Sequence, residues 1–346
     1  MKQPLIFDGH NDLLTRLLSR GGADGFASPG HGAIDPEAAA EGGFGGGFFA
    51  IWVPSNVDSS AKMAAMQGES YDMPLPEMIA RGDASDAVEA ELAILEGLER
   101  LGHLTVVRDI DSLRAAFGSD RLAAICHIEG AEAIGPDLAE LDDLYARGLR
   151  SLGPVWSRET IFGHGVPFRY PSTGDIGPGL TDAGKRLVAR CDEMGIMLDL
   201  SHLNEAGFWD VARLSSRPLV ATHSNAHAVS PHARNLTDKQ LDAIAESDGM
   251  VGLNFASAFL RPDGKMRDDV GMDVLMRHLD HLIGRLGEDR VGLGSDYDGA
   301  LVPQGLKTVG DLPNLRRAMR DHGFGDALIA KLCHENWFRV LGKSWA

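Results

Sequence analysis

The chain has 346 residues, 44% hydrophobic and 24% charged, with 33 Lys and Arg against 50 Asp and Glu and a formal net charge of −17. That supplies a large globular core, and without any run of Lys or Arg the acidic balance argues against nucleic-acid partners and for solubility. No stretch approaches the ~18 uninterrupted apolar residues of a membrane span, and Met1-Lys2-Gln3-Pro4 leads into the first apolar run without a secretory signal, so a cytoplasmic protein with no membrane contact is expected.

Eight short apolar runs follow in order: PLIFDGH (4–10), GFFAIWV (47–53), LAAICHIE (122–129), LRSLGPV (149–155), GIMLDLSH (195–202), PLVATHS (218–224), GMVGLNF (249–255) and RVGLGSD (290–296). Between them lie helical patterns. Residues 86–101 place apolar side chains at 88, 92, 95 and 98, a helical spacing. Residues 182–195 follow Thr181 and residues 237–249 begin at Thr237, both suited to capping, and both segments end in Gly. Residues 270–287 form a long amphipathic pattern that feeds the last run. Length alone would suggest two domains, but α/β barrels reach this size as one. Alternating runs and helices predict a single (β/α)8 TIM barrel over 1–346. The glycine cluster near 42–47 reads as a tight approach to a strand, and residues 55–85 as an excursion over the barrel mouth.

Cys126, Cys191 and Cys333 are far apart and form no C-x-x-C. They predict free thiols in a reducing compartment.

In such a barrel, chemistry collects at the C-terminal strand ends. The runs end in His10 and Asp12, Glu129, His202, His223 and Asp296. Each alone has a bland reading as a hydrogen-bonded strand-end polar group, and Asp296 could cap its loop. Together they predict one rim of metal ligands and proton carriers. Residues i and i+2 of a strand share a face, so His10 and Asp12 can hold one ion, with Gly9 leaving room for a close neighbour. His202 and His223 can hold a second, and Glu129 is long enough to bridge. Imidazole with carboxylate suits Zn²⁺ or a nearby first-row metal, and two such ions would sit roughly 3.5–4 Å apart. Asp8 shares the ligand-facing parity, whereas Asn11 points away. The remaining His31, His103, His278, His281, His322 and His334 read as surface residues. His127 reads as lying deeper on the Glu129 face, and His227 and His232 as near the mouth.

FDGHND, HIEGAEAI, MLDLSHLNEAGFWDV, PLVATHSNAHAVSPHARNL and VGLGSDYDG together resemble the membrane dipeptidase (renal dipeptidase) family of metallopeptidases, over nearly the whole chain. The resemblance implies an amidohydrolase-like barrel with two Zn²⁺ per chain. One ion is on His10 and Asp12, the other on His202 and His223, and Glu129 bridges. It also implies dipeptide hydrolysis, L-Xaa-D-Xaa as well as L-L, by a hydroxide held between the ions. Arg234 would clamp the substrate carboxylate, and Asp296 would carry the proton from water to the leaving amine. Relatives commonly form homodimers. The sequence departs from the family pattern at strand 4. Trp156 stands where a substrate-holding His is expected, with His164 eight residues on as a substitute, and Phe259 stands where some relatives place a Tyr. Two other readings compete. One is amidohydrolase-type cleavage of β-lactams, lactones or cyclic amides at the same site; the other is a non-catalytic binding member of the family.

Overall fold

Each of the eight apolar runs forms a strand in the computed structural model, which describes residues 3–28, 30, 32–55 and 63–346. The strands are β1 (Ile6–Asn11), β2 (Phe44–Trp52), β3 (Leu122–Glu129), β4 (Leu149–Gly153), β5 (Met197–Leu198), β6 (Val220–Ala221), β7 (Met250–Asn254) and β8 (Val291–Gly294). They pair in parallel in the order β5-β4-β3-β2-β1-β8-β7-β6. A bridge from Asp199 to Val220 and the bond from Leu200 N to Val220 O (2.9 Å) join the two ends. The result is a nearly closed (β/α)8 barrel. All-parallel strands are covered on both faces, which is why the runs read as continuously apolar. Outside them, Leu104–Val106 adds a short strand beside β3.

A packed apolar layer holds the barrel from within. The lower interior is filled by Phe7, Phe48, Ile125, Met197, Val220, Met250 and Trp337. Trp337 enters from the helix Asn336–Ser344, and its Nε1 donates to Leu293 O (3.0 Å). Gly9 is required here: a Cβ on it would lie 2.4 Å from Thr222 O and 2.5 Å from the Trp337 ring. Within 42–47, a Cβ on Gly47 would lie 2.4 Å from Asp8 O, in keeping with a close strand approach.

The helices follow their sequence signals. Asp182–Met194 is capped by Thr181 Oγ1, which accepts from Gly184 N (3.1 Å), and stops at Gly195 with φ 68°. Asp238–Glu246 starts at a Thr237–Gln240 capping box. Met272–Leu286 runs into the last strand, and Arg81–Arg100 starts five residues before the expected 86. His278 corrects the surface reading: it is fully buried on that third helix, accepts from Ala226 N at Nδ1 (3.2 Å) and sits 2.9 Å from Leu260 O at Nε2. His31 and residues 56–62 of the expected excursion lie outside the described residues. The described part of that connection forms a two-residue strand, Tyr71–Asp72, antiparallel to Arg169–Tyr170. All three cysteines are buried free thiols. Among the described residues no helix is long and apolar enough to cross a membrane.

Candidate metal centre and substrate cavity

β1 delivers His10 as its fifth residue, buried among strand neighbours. Asp12 lies one residue beyond the strand, at the N-cap of the helix Leu13–Leu18. The chain leaves the extended conformation at Asp12, with ψ 31°. The pair still converges, with His10 Nε2 3.5 Å from Asp12 Oδ2. Asp12 N donates to Tyr297 O (2.8 Å) and Asp296 N to His10 O (3.0 Å), which fastens the β8 turn against β1. Asp296 sits in that turn at φ 62°, a left-handed conformation that is uncommon outside glycine. His10, Asp12 and Asp296 form one group of close ligand atoms, and Glu129, His202 and His223 form another.

Glu129 Oε1 is the focus of the cluster. It lies 3.0 Å from His202 Nε2, 3.3 Å from His223 Nε2 and 3.7 Å from His10 Nε2, and no hydrogen-bond donor reaches it. The surrounding donors decide the tautomers. Thr222 Oγ1 gives its proton to Asp199 Oδ2 (2.6 Å), so at 2.9 Å from His223 Nδ1 it can only accept. His223 thus carries its proton on Nδ1. Arg234 Nη2 lies 3.1 Å from His202 Nε2, and an arginine only donates. His202 thus donates from Nδ1 to Ser157 Oγ (2.8 Å). Two imidazole lone pairs, 3.1 Å apart, therefore face each other and a carboxylate oxygen. The Arg234 N–H on His202 Nε2 offsets part of the repulsion among these acceptors, which form a donor set that suits a metal cation, and the outer partners are of the kind that orient metal-bound imidazoles.

The electrostatics agree. Burial raises the Glu129 carboxyl well above its ordinary value, and Asp12, Asp296 and Asp199 add to the shift. Burial also raises Asp296, with Asp12 adding to it. At His10 burial works the other way, but Glu129, Asp12 and Asp296 outweigh it and lift the imidazole to about 10. The carboxylates thus call for positive charge at this place. Burial, with His10 and Arg234 nearby, holds His223 well below its ordinary value and keeps it neutral.

Three residues behind the cluster were not singled out from the sequence. Asp199 Oδ1 accepts from Ser201 N (3.1 Å), Ser201 Oγ (2.7 Å) and Thr222 N (2.8 Å), while Oδ2 takes the Thr222 hydroxyl. One carboxylate thereby ties together the turns that carry His202 and His223. It lies close enough to His10 and His223 to group with them, but its oxygens are already committed. Asn254 Nδ2 donates to Asp296 Oδ2 (3.0 Å), and Ser157 orients His202. An aspartate inside the apolar run IMLDLSH was the available signal. Asp8, expected to back the ligands, accepts from Ser295 N and Oγ (both 2.7 Å), next to Asp296. Asn11 braces β1, donating to Phe48 O (3.1 Å). His127 lies below, 5.6 Å from the His10 ring centre, with Nδ1 2.9 Å from Ser151 Oγ.

Above the cluster opens a cavity of about 340 Å³. Asp12, Glu129, His202 and Asp296 are part of its lining, as are Trp52, Trp156, Phe168 and Phe259. A model of the membrane dipeptidase family, peptidase family M19, matches residues 1–345. The chain belongs to that family. It is a metallodipeptidase, a hydrolase of peptide bonds. A solved metallopeptidase from Rhodobacter sphaeroides, liganded with a phosphinate mimic of the dipeptide L-Ala-D-Ala, is 53% identical over 99% of this chain and all of that one, with a TM-score of 0.97. An uncharacterised protein in the pqqA 5′ region of Klebsiella pneumoniae is 43% identical over 266 residues, 76% of this chain and 98% of that protein. The probable dipeptidase PvdM of Pseudomonas aeruginosa, 23% identical with a TM-score of 0.83 over 99% and 96% of the two chains, shares the fold.

The dipeptidase's substrate-side residues divide. Trp156 lines the cavity, 5.1 Å from the Trp52 ring and 5.8 Å from His202. Phe259 lines it too, stacked on Phe168 at 5.8 Å and 12°. His164 is not part of the lining: its Nδ1 lies 2.9 Å from Glu159 Oε1. Arg234 is buried behind the lining. It bonds Ser201 O, His223 O and His202 Nε2, its Nε has no partner, and its guanidinium stands 5.3 Å from the Phe259 ring. His227 and His232 also stay off the lining, and His232 packs 4.6 Å from Phe259. The Arg158–Glu132 pair (2.7 Å), fully buried, links the loops after β2, β3 and β4 through Val53 O.

Proposed function

We propose that the cluster holds two zinc ions, with His10 and Asp12 on one, His202 and His223 on the other and Glu129 between them. The observation that carries this reading is the meeting of two fixed imidazole lone pairs at the unpartnered oxygen of Glu129. When bound, such ions supply the Lewis acidity that makes water a nucleophile near neutral pH and polarises a carbonyl.

The protein's own residues do the rest. Asp296 faces the cavity with one oxygen held by Asn254, so its other oxygen is left for the proton. Its raised proton affinity suits a group that takes a proton from water and returns it to the leaving amine. Arg234 serves as the carboxylate clamp once its Nη2 gives up the His202 lone pair, presenting the fork formed by that Nη2 and the Nε that has no partner. Residues 63–76 roof the cavity, and Trp156 and Phe259 form its aromatic sides. The L-Ala-D-Ala mimic bound by the 53% identical relative supports L-Xaa-D-Xaa dipeptides as substrates, and the proposal extends to L-L dipeptides. Asp296→Asn tests the assignment. Turnover of L-Ala-D-Ala should drop by about 10²–10⁴-fold with metal content unchanged; loss of metal instead would make Asp296 a ligand.

A further inference from the structure

The cavity has two chemistries. Its floor carries Asp12, Glu129, His202 and Asp296, whereas Met66, Met73, Phe168, Phe259, Met266 and Leu301 form an apolar wall. Hydrogen bonds hold that wall: in the main chain Met266 N donates to Met66 O (3.0 Å) and Met73 N to Phe168 O (3.0 Å), and the Tyr71 hydroxyl donates to Gly264 O (2.6 Å). The same side chains form a hydrophobic cluster separate from the barrel core. Packing the mouth loops would account for the buried Met66. It does not account for Met73, Phe168 and Phe259 opening onto the cavity together. Among the described residues, no Lys or Arg lines it.

We propose, resting on the dipeptidase reading above, that this wall is a side-chain pocket that selects dipeptides carrying one bulky apolar residue and rejects those carrying Asp or Glu. Unbranched thioethers adapt to different shapes, so Leu, Met and Phe should all be accepted. A substrate side-chain carboxylate placed there would lose its water, and Arg234, behind Phe259, is already assigned to the substrate's terminal carboxylate, so the placement is unfavourable.

The test is kcat/KM of the zinc-loaded enzyme for Ala-Xaa and Xaa-Ala dipeptides, in L-L and L-D forms, with Xaa as Ala, Leu, Met, Phe, Asp or Glu. At one of the two positions Leu, Met and Phe should exceed Ala by about tenfold or more, and Asp and Glu should fall about tenfold below it. Met73 is only partly buried, so Met73→Lys can keep its ammonium hydrated. That variant should raise the Glu-to-Leu ratio of kcat/KM by about tenfold, and Met73→Leu should keep the wild-type order; Tm and metal content verify folding. A flat profile at both positions, a wild-type preference for acidic residues, or an unchanged ratio in Met73→Lys overturns the pocket and leaves the dipeptidase reading standing. Failure to cleave any dipeptide overturns both.

Discussion

The two sides of the candidate metal centre are built differently. On the β1 side, a six-residue strand carries His10, and main-chain bonds from Asp12 to Tyr297 and from Asp296 to His10 set the geometry. On the opposite side β5 and β6 are two residues each, too short to fix the turns beyond them. There the Asp199 carboxylate, with four hydrogen bonds, performs the task that ladder bonds perform at β1. The first half is placed mainly by backbone register, with the buried Asp8 carboxylate on Ser295 as an added brace, and the second mainly by a buried side chain. Loss of a supporting side chain should therefore be felt as lost stability on the first side and as lost metal affinity on the second.

Asp199→Asn is the strongest way to break this contrast. An amide cannot accept on both edges, so the Thr222 hydroxyl is released and the His223 tautomer is no longer enforced. Zinc affinity, read by competition with a chelating dye, should fall about 10–100-fold, as is usual for the outer partners of metal ligands. An unchanged affinity would mean that the turns hold themselves.

Asn11→Ala is the matching lesion on the β1 side. It removes the bond to Phe48 O inside the protein, at a cost of about 1–3 kcal/mol for an unsatisfied buried group. Thermal unfolding should show a lower Tm while zinc affinity stays within about twofold of wild type. A large loss of metal would erase the difference between the halves.

An effect that leaves the metal centre untouched concerns Glu91, buried behind β2 with Oε2 accepting from Trp52 N (2.9 Å). Burial lifts this carboxyl from 4.5 to about 8. Below the unfolded value both states hold the proton; between about 4.5 and 8 only the folded state does. Stability should therefore decline as pH rises through that window, by at most ~1.4 kcal/mol per pH unit from this group. Glu91→Gln should flatten that decline in denaturant titrations at pH 5 and pH 8. An identical slope in wild type and variant would assign the pH dependence elsewhere.

The same contrast explains what could be read from the sequence. The barrel was legible because strands covered on both faces must be apolar throughout, and all eight runs became strands. The candidate ligands were legible because polar groups ending such runs stand out. Asp199 interrupts its apolar run, which is a visible signal, but its role was not legible, because its partners, Ser201 and Thr222, belong to two different turns. His278 could have been placed, since it falls on the face shared by Leu275, Leu279 and Leu282. His164 and Arg234 were located by analogy, and only three-dimensional contacts reveal that Glu159 holds one and the His202 turn holds the other. The mouth strand Tyr71–Asp72 was not legible, because its partner, Arg169–Tyr170, lies far along the chain.

Two imidazole lone pairs and a shared carboxylate call for metal, and that requirement can be measured. Metal analysis of the purified protein after equilibration with zinc should be combined with L-Ala-D-Ala hydrolysis before and after chelation. The expected result is close to two zinc ions per chain, with hydrolysis lost on chelation and restored by zinc. No bound metal at saturating zinc, or hydrolysis that survives complete metal removal, would contradict it.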